Sequence, residues 1–294
     1  MNNNSLVDLV ASRTDYLNST SRSQKVLDAM RKVDRRNFIP DEEEILITIN
    51  AEAQQQLAQN LETARNRKPA ILDDIRKIVL GAYTVNSSAQ ALRISRKDLA
   101  YNDEVIPIGS GQTCSEPSMV AFMVDVLELK PGMKVLEIGT GCGYHAAVTA
   151  ELVGKQGKVY SIEYCPELAE LAHRNLKTHF GAEYQQRVTI IEGDGSVGLP
   201  EKEPFDAIYL TAGVQLDHFE PGMLASQLKL PGGMLLYPEE QGMMVKERYG
   251  WFGNIEDIQF YEEVSFVPLK GENAQSKEEI SSLKYVHSAK VASE

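Results

Sequence analysis

Residues 134–153 read Lys134-Val135-Leu136-Glu137-Ile138, then Gly139-Thr140-Gly141-Cys142-Gly143, then an Ala-rich run from Tyr144 to Val153. A short apolar run, three glycines at alternate positions and a helix-forming segment spell a strand, a tight turn and a helix. The glycines allow a ligand to approach the backbone with no Cβ in the way. The helix start supplies free N–H groups. The spacing is GxGxG with Glu137 just ahead of it, which is neither the GxGxxG of dinucleotide sites nor the GxxxxGK of phosphate loops. A loop without Lys suits a ligand whose charged part is an amino acid and not a pyrophosphate.

The same alternation continues downstream. Strands are predicted at 158–162, 187–191, 205–210 and 234–237, and helices at 118–129, 166–179 and 221–230. Strands separated by helical crossovers give an α/β fold, a doubly wound, mostly parallel sheet with helices on both faces. Residues 99–271 form this domain.

Residues 1–98 have a different texture and read as an N-terminal helical region. Val26, Leu27, Met30 and Val33 share one face of a helix over 23–31, which Phe38-Ile39-Pro40 closes. Ile45, Ile49, Ala53, Leu57 and Leu61 recur every four residues in a Gln-rich stretch, which predicts a helix with a narrow apolar stripe. Pro69 opens a second helix carrying Ile71, Leu72, Ile75, Ile78 and Val79, which stops near Gly81. Residues 41–98 therefore read as a helical-hairpin insertion, serving either as a packing or dimerisation appendage or as a substrate lid. Residues 272–294 are polar and read as a loose tail.

Composition narrows the function. Among 294 residues, 42 acidic against 30 basic side chains give a net charge of −12. That balance disfavours nucleic-acid binding, which needs a basic face. Cys114, Cys142 and Cys165 are odd in number and form no CxxC pair, which predicts no metal site, no disulfide framework and a cytoplasmic location. The start, Met1-Asn2-Asn3-Asn4-Ser5, carries no secretory pattern. No apolar run approaches the length of a membrane span.

Two further acids stand at strand ends. Glu163 closes the second strand of the domain, where a carboxylate is placed to bind the two hydroxyls of an adenosine ribose. It is equally readable as a solvated strand end. Asp194, between Gly193 and Gly195 after the third strand, can accept a hydrogen bond from an adenine amino group, or simply make a turn. Together with the glycine loop they line the carboxyl edge of the sheet and point to S-adenosyl-L-methionine. Upstream, Ile108-Gly109-Ser110-Gly111-Gln112-Thr113-Cys114-Ser115-Glu116-Pro117 reads as a polar loop with Ser115 or Glu116 capping the next helix.

Gly111–Pro117, the Leu136–Gly141 block, Gly193-Asp194-Gly195 and Ser265-Phe266-Val267-Pro268-Leu269, with Val26–Met30, Phe38–Pro40 and 99–103, resemble the protein-L-isoaspartate O-methyltransferases. The resemblance covers about 23–40 and 99–271. It implies a Rossmann-like class I methyltransferase that moves a methyl group from S-adenosyl-L-methionine to the α-carboxylate of L-isoaspartyl residues in damaged proteins or peptides. The ester would then cyclise to a succinimide that reopens partly to aspartate.

Carried over residue by residue, Ser115 and Thr113 are the expected active-site hydroxyls. Gln112, Thr113, Ser115 and Thr211 are expected to meet substrate. Glu137, Gly139, Thr140, Gly141, Gly143, Glu163, Asp194 and Gly195 are expected to hold the cofactor. An ordinary carboxylic acid is already ionised at pH 7, so the nucleophile needs no general base. The protein has mainly to align oxygen, methyl and sulfur, which makes Ser115 an orienting donor and not a covalent nucleophile.

The chain departs from the family pattern at Cys114, where an apolar residue is usual, and at Glu116, usually uncharged. Ser118 stands where His is frequent. Glu116 would put a negative charge beside an anionic substrate. These departures keep two alternatives in view: methylation of a different aspartyl or peptide carboxylate, and a catalytically silent cofactor-binding adaptor. Cys114 reads as a small buried residue, His145 as a helix-start residue or a ligand contact, and His173 with His179 as a solvated helix face. Monomer and homodimer are both compatible with the sequence.

Overall fold

The structure is a computed structural model that describes residues 2–13, 21–40, 44–49, 90–215, 217–239, 243–262, 264–271 and 274. Helices α1 (Asn3–Arg13) and α2 (Ser21–Lys32) open the chain, and Glu44–Ile49 (β1) pairs antiparallel with Gln90–Ser95 (β2). A hairpin of Ile106–Gly109 (β3) and Gln112–Cys114 (β4) leads into α3 (Pro117–Val126). There follow β5 (Lys134–Ile138), α4 (Tyr144–Val153), β6 (Lys158–Glu163), α5 (Pro166–Phe180), β7 (Val188–Glu192) and β8 (Ala207–Leu210). The short α6 (Pro221–Ala225), then β9 (Met234–Glu239), β10 (Met243–Tyr249) and β11 (Ile255–Glu262) complete the order.

The central sheet runs β11-β10-β9-β8-β5-β6-β7. Strands β9, β8, β5, β6 and β7 are mutually parallel, and β10 and β11 add an antiparallel edge. Strand β8 is buried along its whole length, as a central parallel strand must be. Alternate residues face opposite layers. Val135 and Tyr209 join the core under the helices, while Leu136, Ile138, Ile208 and Leu210 join the core on the other face. Helix α5 buries Leu168, Ala169, Leu171, Ala172 and Leu176 at three- and four-residue spacing, with Pro166 in its first turn and Gly181, at φ +56°, ending it. In α2 the predicted face of Val26, Leu27 and Met30, with Val33 just beyond, is buried.

Three expectations need correction. Residues 44–49 form a strand and not the start of a helix, and 90–95 is its partner. Ile45, Ile47, Thr48 and Ile49 are β-branched and favour extended backbone. The rest of the expected hairpin, 50–89, lies outside the described residues, as does most of the 272–294 tail. The helix over 221–230 is a single turn, α6, so the face opposite α4 and α5 is covered largely by loops carrying Leu199, Phe219, Leu228 and Leu269. The segment read as a polar loop before α3 is the β3–β4 hairpin. Helix α1 and strands β10 and β11 had no sequence reading. Among the described residues no helix is long and apolar enough to cross a membrane.

Candidate active site

The carboxyl ends of β5, β6 and β8 open into a cleft. Its walls come from far apart in the chain: Gln112, Thr113 and Ser115 from the β4–α3 segment, Gly139, Thr140 and Gly141 from the glycine loop, Glu163, Gly195, Thr211, and Val267 to Lys270. The last segment is pinned by reciprocal main-chain bonds. The Gly213 N–H donates to Val267 O and the Leu269 N–H to Gly213 O, both at 2.8 Å.

Gly139 sits at φ +98°, and a Cβ there would stand 2.3 Å from Thr211 Oγ1. The Thr211 hydroxyl donates to Gly139 O at 2.5 Å, so this glycine is required both for its conformation and for the approach of β8's end. Glu163 is 5% exposed. Its Oε2 accepts from the Gly141 N–H at 2.7 Å and its Oε1 from the Cys165 N–H at 2.9 Å. Two backbone N–H donors fix the carboxylate, and its remaining lone pairs are left for a ligand.

Beside this cleft lies a second cavity, lined by Val105, Thr113, Ser115, Glu116, Met119, Thr211 and 265–267. Thr113, Ser115, Thr211 and Val267 belong to both walls. Burial, and then the neighbouring Asp103 carboxylate, push the Glu116 carboxyl above its ordinary pKa. Glu116 is the N-cap of α3 but makes no side-chain cap. Instead Asp103 Oδ1 accepts from the Ser118 N–H at 2.8 Å.

Behind Ser115 stands Arg35, fully buried. Its Nη1 donates to Ala100 O and Asn102 O at 3.3 and 2.9 Å. Its Nη2 donates to Glu104 O, Cys114 O and Ser115 O at 2.8, 3.4 and 2.9 Å. Sequence reading missed Arg35. The basic pair Arg35-Arg36 was visible, but its partners lie at least 65 residues away.

Of the expected site residues, Gln112, Thr113, Ser115, Gly139, Thr140, Gly141, Glu163, Gly195 and Thr211 come together on the cleft. Three do not reach its wall. Glu137 points into the layer under α4, with no exposure. Its carboxylate accepts from Ser161 at 2.5 Å and from the Tyr209 hydroxyl at 2.9 Å, and burial pushes its pKa up to about 8. Gly143, at φ +86°, is the N-cap of α4 and lies against Leu176, so it serves helix packing. Asp194 Oδ1 accepts from the Ser196 N–H at 2.8 Å, and Gly271 packs so closely on that carboxylate that a Cβ would collide with it.

Cys114 is buried, as expected, yet lines the cleft with Cys142. His145 is buried on the cleft wall. His173 bonds the Tyr184 hydroxyl at 2.6 Å. His179 is not solvated: it packs between Phe38 and Phe180, and burial lowers its pKa.

Comparison with known proteins gives a consistent result. The family model described as protein-L-isoaspartate(D-aspartate) O-methyltransferase matches residues 52–274. The chain is 43% identical over 224 residues to protein-L-isoaspartate O-methyltransferase 2 of Archaeoglobus fulgidus, covering 75% of this chain and 94% of the relative. It is 46% identical over 182 residues to protein-L-isoaspartate O-methyltransferase 1 of the same organism, covering 59% of this chain and 81% of the relative. A solved protein-L-isoaspartate O-methyltransferase shares the fold at a TM-score of 0.62 and 22% identity, over 95% of this chain and 69% of that one. A second, described as a putative enzyme of this name from Plasmodium falciparum in complex with S-adenosyl-L-homocysteine, has a TM-score of 0.61 at 20% identity, over 92% and 99% of the two chains. A family match spanning three quarters of the sequence, on a class I methyltransferase fold, establishes that this chain belongs to the protein-L-isoaspartate(D-aspartate) O-methyltransferase family.

Proposed function

We propose that the chain is a protein-repair enzyme that methylates the α-carboxylate of L-isoaspartyl residues, with S-adenosyl-L-methionine as donor and S-adenosyl-L-homocysteine as product. The observation that carries this reading is the shared wall: Thr113, Ser115, Thr211 and Val267 line both the cleft over the glycine loop and the cavity beside it. A donor in one chamber and a peptide in the other would meet at the hydroxyls of Thr113 and Ser115.

The residues fit the cofactor. Glu163 offers an oriented carboxylate for ribose hydroxyls, the backbone at Gly139 and Gly141 lines the floor, and two buried polar side chains on the wall lack partners among the described residues. The cofactor supplies an electrophilic sulfonium methyl when bound. Ser115 and Thr113 donate hydrogen bonds that hold a substrate carboxylate oxygen in line with that methyl. Hydroxyl donors orient the anion without the over-stabilisation of the ground state that a cation would bring. The pinned 267–270 segment forms part of the cleft wall. Three free thiols support a cytoplasmic location, and the reading accommodates a monomer or a homodimer.

The test is methyl transfer to an isoaspartyl peptide against its aspartyl isomer. The isoaspartyl form should be strongly preferred. Ser115→Ala should lower kcat by about 10- to 100-fold with affinity for S-adenosyl-L-homocysteine unchanged. Preference for the aspartyl isomer would overturn the proposal.

A further inference from the structure

Two polar side chains on the cleft wall are buried with nothing to bind among the described residues. His145, in the first turn of α4, is 6% exposed, and neither ring nitrogen has a hydrogen-bond partner. Tyr144, beside it on that wall, also has a buried hydroxyl with no partner among the described residues. An unsatisfied buried polar group is costly, and native proteins keep few of them without a reason. The His145 ring is held in place. Its centroid lies 4.7 Å from that of Tyr209 at an interplanar angle of 32°, and Tyr209 is itself anchored by Glu137 and Thr149, each at 2.9 Å.

The strand order says which part of a bound donor meets this ring. Glu163 ends β6 and Gly195 follows β7, both to one side of the glycine loop that leaves β5. Tyr209, and His145 against it, lie on the β8 side. Strands β6 and β8 are two strand spacings apart, about 10 Å. A donor with its ribose on Glu163 and its middle over Gly139 and Gly141 therefore brings its amino-acid end to the β8 side.

The chemistry matches. Burial pushes the His145 pKa down to about 3, so the ring is neutral at physiological pH, with one nitrogen donating and the other accepting. A zwitterionic amino-acid group offers a partner to the ring nitrogen that meets it, a carboxylate for an N–H or an ammonium for a lone pair. A neutral ring also adds no second cation beside a sulfonium. We infer that His145 binds the amino-acid end of the adenosyl cofactor, an inference that rests on the function proposed above.

Calorimetric titration with two probes tests it: S-adenosyl-L-homocysteine, which carries the amino-acid group, and 5′-methylthioadenosine, which lacks it. His145→Phe keeps a ring against Tyr209 and removes both nitrogens. It should weaken S-adenosyl-L-homocysteine by about tenfold or more and leave 5′-methylthioadenosine within about twofold of the wild type. His145→Gln, which retains a donor and an acceptor, should recover most of the loss. Equal weakening of both probes by His145→Phe, no weakening of S-adenosyl-L-homocysteine, or a Gln variant no better than Phe would overturn the inference. A wild-type chain that binds neither probe would instead bring down the cofactor reading on which it stands.

Discussion

Arg35 Nη2 donates to the main-chain carbonyl of Ser115 at 2.9 Å, joining positions 80 residues apart. The same guanidinium bonds four more carbonyls, those of Ala100, Asn102, Glu104 and Cys114. One buried fork thus sets the backbone of the segment that carries the candidate active-site hydroxyls. A lysine ammonium cannot span that fan of acceptors. Arg35→Lys should leave buried carbonyls unpaired and lower stability by about 2–4 kcal/mol in urea unfolding. It should also lower kcat more than it lowers affinity for S-adenosyl-L-homocysteine, because the five carbonyls it holds lie in 100–115 and not in the glycine loop. An equal loss of both would mean that Arg35 serves only the fold.

Gly139 and Thr211 are coupled by contact. In Gly139→Ala the new Cβ meets Thr211 Oγ1 at 2.3 Å and sits at φ +98°, two separate penalties. Cofactor affinity should fall by about tenfold or more. Adding Thr211→Ala removes the oxygen but not the backbone strain, so the double variant should recover part of the loss, with a coupling of about 1 kcal/mol or more in a double-mutant cycle read by calorimetry. Simple additivity would show that the two residues do not share this contact in solution.

Glu116 lines the cavity proposed for the peptide. Its raised pKa, caused first by burial and then by Asp103, means that it charges less readily than an ordinary glutamate. At pH 7 any charge it carries opposes an anionic substrate. Glu116→Gln should therefore lower KM for an isoaspartyl peptide by about 3- to 10-fold with kcat little changed. The advantage should shrink as the pH is lowered, because the raised pKa makes the native carboxyl take up its proton sooner than an ordinary glutamate does. Steady-state kinetics at two pH values check it, and a higher KM in the variant would show that Glu116 helps binding.

What could be read in the sequence was local. Strand β5, the glycine loop and α4 are contiguous, so their propensities and turn chemistry agree within twenty residues. Their placement carried Gly139, Gly141, Glu163 and Gly195 to one edge of the sheet. What escaped depends on distant partners. The apolar residues at Ile45 and Ile49 fit a helical stripe as well as a strand, and only pairing with 90–95 decides between them. Glu137 belongs to the right motif, but the two-residue alternation of β5 turns it toward Tyr209 and away from the cleft. Arg35 acts through carbonyls, which leave no mark on the identity of the residues that bear them.

That inward turn of Glu137 has a consequence for stability. Its carboxyl has an ordinary pKa of 4.5 in the unfolded chain and is pushed to about 8 by burial in the folded one. The unfolded chain therefore releases this proton earlier. Across the window from 4.5 to about 8 the folded state binds more protons than the unfolded state, so this residue's contribution to stability falls as pH rises and levels off above it. Below that window the protonated acid is neutral and makes hydrogen bonds with Ser161 and Tyr209. Glu137→Gln keeps the shape and one donor while removing the ionisation. Urea midpoints at pH 5 and pH 8 should differ clearly in the wild type and by much less in the variant. Equal pH dependence in both would mean that Glu137 is ionised in the folded chain and that Ser161 and Tyr209 stabilise its charge.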